Sequence, residues 1–137
     1  MGWKDDCLKA LDTSSLFENS AHRTRFKELV DCYSSYPFFT KGLCKCMYLS
    51  AWDEEHFCIM LQMLMNMSVG RESNTDEMRS MGDILAEEHM DAEYYVYQLS
   101  NTFLDDQPYL LDISKLPPEI IHIIEQAKKA AEIIDTV

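Results

Sequence analysis

The sequence predicts an all-α fold: a compact helical bundle of five or six helices, one of them long and acidic, in a single domain spanning residues 1–137. Apolar residues recur at spacings of three and four almost throughout, and alternation at period two is nearly absent. Only 4 Gly and 4 Pro interrupt the chain, too few for a turn-dense β sandwich or barrel. A hydrophobic share of 47% in 137 residues suits one core rather than a disordered chain or two domains.

The first helix, at about residues 3–11, sets Trp3, Cys7, Leu8 and Leu11 on one side before the polar stretch Asp12–Ser15 ends it. The second, at about 20–35, carries Phe26, Leu29, Val30 and Tyr33 and stops ahead of Pro37. A third, at about 38–49, contains Gly42 and shows a poor apolar face. Ser50 reads as the N-cap of a fourth, with Asp53 and Glu54 in its first turn, where the helix dipole favours anions. That helix, at about 51–67, is apolar nearly all round, which predicts burial at the centre of the bundle or in an oligomer contact. The linker Ser68–Thr75 holds Gly70, and Asn74 or Thr75 caps a long fifth helix at about 76–104. Pro108 opens a connector anchored by Leu110, Leu111 and Ile113, and Pro117 and Pro118 start the last helix, at about 118–135. On that helix Ile120, Ile123, Ile124, Ala127, Ala131 and Ile134 form an apolar seam.

Charge is unevenly placed. The chain has a formal charge of −12, yet residues 1–50 hold seven basic and six acidic residues. Residues 51–112 hold fourteen acidic residues against Arg71 and Arg79 alone. A field so concentrated attracts a basic partner and speaks against direct contact with nucleic acid or an anionic membrane. No run of 18 apolar residues is present, and the acidic start does not read as a signal peptide. Asp6 stands where an N-myristoylation pattern needs Ser or Thr. With an odd number of cysteines (Cys7, Cys32, Cys44, Cys46 and Cys58), these features predict reduced thiols and a cytoplasmic protein.

At about 100° per residue, the fifth helix gathers Met78, Met81, Leu85, Ala92, Val96, Leu99 and Phe103 into a core stripe. Asp76, Asp83, Glu87 and Asp91 fall on the opposite side with Tyr94 among them, and Tyr97 stands about 60° away from it. Carboxylates interleaved with aromatic rings suit an interface that receives Arg and Lys. These six residues are the candidate partner-binding site.

Metal chemistry is the competing reading. Glu119-x-x-His122 has the spacing of di-metal bundles, and Glu28 and Glu88 offer bridging acids. Direction opposes that set, since His122 points about 150° from its helix's seam and Glu28 lies opposite the apolar face of the second helix. His56 and His89, with Glu88 and Glu93, form the alternative metal or redox site if their side chains converge. Cys44-Lys-Cys46 and His56-Phe-Cys58 invite zinc, but residues two apart on a helix point about 160° apart. Nucleotide-binding glycine loops, serine-hydrolase elbows and zinc-protease motifs are missing from the sequence. The methionines of the fourth and fifth helices read as core, although thioethers also line adaptable grooves.

The leading expectation is therefore a non-enzymatic interaction module, a small acidic regulator or inhibitor. It would dock on a basic, nucleic-acid-binding type of surface on a partner protein and need no cofactor. The alternatives are the His/Glu metal bundle and a structural domain that self-associates through its fourth helix.

Overall fold

A computed structural model describes residues 3–88 and 91–137. Its described residues form seven helices and no strand. They are α1 (Trp3–Thr13), α2 (Ser20–Tyr33), α3 (Lys41–Ser50), α4 (Glu54–Val69), α5 (Asp76–Glu88), α6 (Ala92–Asp105) and α7 (Pro118–Thr136). The all-α class is as the apolar spacing requires. The single long acidic helix is not formed, because it is two helices.

Caps explain most of the boundaries. The side chains of Asn19, Thr40, Asp53 and Asp91 each accept a hydrogen bond from a backbone N–H in the first turn of α2, α3, α4 and α6. Asp91 is what divides the expected helix over 76–104: its extended backbone and its bond from the Glu93 N–H start α6 afresh. Asp106, in the left-handed region at φ 54°, ends that helix. Ser50 does not cap α4. It is the last residue of α3, its hydroxyl turned back to the Met47 carbonyl, and the cap moves to Asp53.

The centre of the molecule is α3, not α4. Every residue from Leu43 to Ala51 is buried, Lys45 and Ser50 included, and α3 packs against α2, α4, α6 and α7. Its apolar face looked poor because it buries cysteines and polar side chains that find partners inside. Lys45 Nζ meets Asp135 at 2.7 Å, Cys46 Sγ lies 3.2 Å from the Ser100 carbonyl, and the Tyr48 hydroxyl donates to the Leu16 carbonyl. Cys7 and Cys44 touch sulfur to sulfur at 3.8 Å across α1 and α3. Gly42 lets α3 approach α6 closely: a Cβ there would stand 2.6 Å from the Phe103 carbonyl oxygen.

By contrast α4 buries one face only, through His56, Met60, Leu64 and Met67. Met65 is 48% and Val69 82% exposed. An all-apolar composition does not force burial when neighbours cover a single side. On α7 the buried set is Ile123, Ile124, Ala127, Ala130, Ala131 and Ile134, close to the expected seam. His122 faces outward and pairs with Glu18, while Glu28 and Glu119 are exposed, so the di-metal set never assembles.

His22 is a buried pin. The Nε2 atom donates to the Tyr48 carbonyl at 2.8 Å, Nδ1 accepts the Glu18 N–H at 3.2 Å, and Phe17 and Tyr48 enclose the ring. Both bonds require the neutral imidazole. Burial lowers its pKa, with a smaller push from Arg25, against the raising effects of the Tyr48 carbonyl and Glu18. The unfolded chain, with an ordinary histidine pKa of about 6.5, therefore takes up this proton more readily than the folded one. Stability from this site is complete above that pH and falls as the pH drops below it, by at most about 1.4 kcal/mol per pH unit. Replacement His22→Gln keeps a donor and an acceptor but cannot titrate. Urea unfolding at about pH 7.5 and about pH 5.5 should show a smaller pH effect in the variant than in the parent. An equal effect would place the pH sensitivity elsewhere.

Candidate interaction site

Helices α5 and α6 form an antiparallel hairpin. Arg79 binds Asp105, and Asp83 accepts from Asn101 Nδ2 at 3.2 Å, so residue pairs step in opposite directions along the two helices. Small buried residues on α5, Gly82 and Ala86, allow the close approach; the Asn101 side chain occupies the place of a Gly82 Cβ. The acidic line expected over 76–94 is thus folded back on itself. Asp76 begins α5 at one end of the hairpin, and Asp91 opens α6 at the other, with α5 about 20 Å long between them.

The six candidate residues separate. Asp83 is tied to Arg79 four residues earlier and to Asn101, which makes it internal reinforcement of the hairpin. Asp76, Glu87 and Asp91 are exposed, Asp91 also serving as the α6 cap. Tyr94 is half-buried and sits edge-to-face with Tyr95 at 5.5 Å between ring centres. Tyr97 does not stand on the acidic surface. It is 7% exposed and stacks on His56, ring centres 5.1 Å apart, because α6 restarts at Asp91 and turns Val96, Tyr97, Leu99 and Asn101 inward.

What assembles instead is an acidic end of the molecule. The starts of α4 and α6 meet there, His56 Nε2 lying 3.4 Å from Glu93 Oε1 and Trp52 flanking the same imidazole at 5.3 Å. Asp53, Glu54 and Glu55 arrive with α4, Asp91 and Glu93 with α6, and Glu87 and Glu88 close α5. Burial first, then Glu93, Glu55 and Asp53, push the pKa of Tyr97 up to about 12. Acids at the first turns of α4 and α6 are explained by the helix dipole. Those in the last turn of α5 are not, because a carboxylate there faces the negative end of the dipole, at a cost of about 0.3–1 kcal/mol each. Among the described residues no basic side chain forms an ion pair with Glu54, Glu55, Glu87 or Glu88.

Five of the seven basic residues of the first fifty find partners within the chain. Arg23 binds Asp12, Lys27 binds Asp31, Lys45 binds Asp135, and Arg25 donates to the Ala51 and Trp52 carbonyls. Lys41 reaches the last carbonyls of the chain. Three of them are ion-paired, whereas Glu54, Glu55, Glu87 and Glu88 of the negative middle face solvent.

Of the alternative metal set, His56 and Glu93 do meet, Glu88 is exposed, and His89 lies outside the described residues. No group of three or more His, Cys, Asp or Glu side chains is placed to hold a metal ion among the described residues. Cys44 and Cys46 are buried on different partners, and Cys58 is exposed. His22, whose spacing with Phe26, Leu29 and Tyr33 marks a buried helix face, is a further buried polar residue, and several methionines expected in the core line a cleft instead.

That cleft lies between α4 and α5, whose extensive neighbour is α6 rather than α4. Two hollows of about 40 Å³ each adjoin along it and share Met63 and Met78. Ile59 and Leu85 line the first, which reaches inward to Ser50 of α3 and to Tyr97 and Asn101 of α6; Asn66, Met67, Met81 and Glu77 line the second. Each holds space on the order of a few waters, which suits the tips of inserted side chains rather than a cofactor. No helix among the described residues is long and apolar enough to cross a membrane. Comparison of the chain with protein-family models, with curated proteins and with solved structures finds no significant match.

Proposed function

We propose that this chain is a non-enzymatic interaction module that docks through its acidic end on a basic surface of another protein, as a small regulator or inhibitor would. The observation that carries this reading is the pair Glu87 and Glu88. They are exposed, have no ion-pair partner among the described residues, and stand in the turn where the dipole disfavours them. An external cation would offset that cost. Glu54 and Glu55, exposed in the first turn of α4, add negative charge near the His56–Glu93 contact.

A lysine- and arginine-rich peptide without apolar residues is the probe. Joint replacement of Glu54, Glu55, Glu87 and Glu88 by glutamine should weaken its binding roughly tenfold at low salt and flatten the salt dependence, since each exposed pair contributes up to about 1 kcal/mol. Circular dichroism should show unchanged helicity. Asp83→Asn should instead lower stability through the lost ion pair with Arg79 while leaving the affinity close to the parent's. Unchanged affinity in the quadruple variant removes the proposed function.

A further inference from the structure

We infer that the cleft between α4 and α5 is the seat of a basic amphipathic helix belonging to the partner, an inference that rests on the acidic docking surface above and specifies the shape of what docks. The cleft is lined mainly by apolar side chains, with His56 and Asn101 among them and Glu77 at one end. Met63 and Met78 form its shared floor, and Met81, 41% exposed, opens it to solvent with Ile84, 47% exposed, beside it on α5. Glu77 lines one hollow directly. At the other, His56 and Tyr97 stand in the wall, and Glu93 lies 3.4 Å from the His56 ring.

Three features select a helix over other occupants. Ile59, Met63 and Met67 succeed one another at steps of four, so the hollows lie about 6 Å apart along α4, the spacing of anchors at i and i+4 on a bound helix. Glu77, Met81, Ile84 and Glu88 share one side of α5 at steps of four, three and four, which makes an apolar strip closed by a carboxylate at each end. Unbranched thioethers reshape around side chains they were not packed with, at little strain. A helix with Leu or Met anchors and Lys or Arg flanks satisfies both the floor and the rim. A second copy of this chain fits the floor but brings its own negative charge to a negative rim.

The test uses the full chain and two peptides of roughly 18 residues, about 27 Å as helices and so long enough to span the 16 residues of α4. Both contain the same leucines and lysines; one spaces leucine at i, i+3, i+4 and i+7, and the other is scrambled. Titration calorimetry at low salt should give the amphipathic peptide at least tenfold tighter binding. Joint replacement Met81→Ser and Ile84→Ser, on exposed positions, should remove that advantage with helicity intact, and Glu77→Gln should flatten its salt dependence. Equal affinity for the two peptides, both lost in salt, overturns the cleft and leaves the acidic surface standing. Binding of neither overturns both. Light scattering that finds a dimer, split by the Met81 and Ile84 replacements, assigns the cleft to a second copy and overturns the inference.

Discussion

Met47→Ala is expected to lower the unfolding free energy by about 3 kcal/mol, within the usual 2–5 kcal/mol for a fully buried methionine. Met65→Ala is expected to change it by less than about 0.5 kcal/mol. The two methionines differ in what surrounds them. Met47 is 0% exposed at the middle of α3, where helices α2, α4, α6 and α7 leave no side open, so truncation leaves a cavity that rigid neighbours cannot fill. Met65, 48% exposed on the outer side of α4, leaves only solvent behind. Urea unfolding followed by circular dichroism reads both. Were Met65→Ala the costlier change, α4 would be the central helix and the arrangement of the bundle would be different.

Gly42→Ala is the second large effect, and its sign is the informative part. On an ordinary helix alanine is preferred to glycine by about 1 kcal/mol. Here the new methyl would stand 2.6 Å from the Phe103 carbonyl oxygen, with the Phe103 carbonyl carbon at 3.4 Å and the Leu104 Cα at 3.6 Å. All three are backbone atoms of α6, so no rotamer change relieves the clash and the two helices must separate. Overpacking of this kind costs about 1–3 kcal/mol and sometimes more, and separation also loosens the Cys46–Ser100 contact beneath it. A net loss of about 2 kcal/mol is expected, read as a lower urea midpoint with an unchanged slope. A variant as stable as the parent would mean that α3 and α6 do not meet at this point.

These contacts show where sequence patterning has reach. The period of the apolar residues set the helical class, and the seam of α7 was readable because its buried isoleucines and alanines follow one simple stripe. The rank of the helices was not readable. Lys45 looks like a surface residue until Asp135, ninety positions away, reaches it, and Cys44, Cys46 and Ser50 look like weak core formers until α6 and α7 cover them. Conversely, α4 resembles a buried helix in composition but has one covered face. The split of the acidic helix turned on Asp91, one aspartate among many, whose capping bond is a local event with no signature in the apolar period.

The candidate site followed the same division. Sequence alone determined that negative charge is confined to the middle of the chain, because charge is additive and independent of conformation. Only the tertiary structure decided which of those carboxylates are free. Arg79 took Asp83 and Asp105 into the hairpin, packing on His56 drew Tyr97 inside, and Glu54, Glu55, Glu87 and Glu88 were left exposed. Pairing and burial are set by distances between segments far apart in the chain, and a helical wheel contains no such distances.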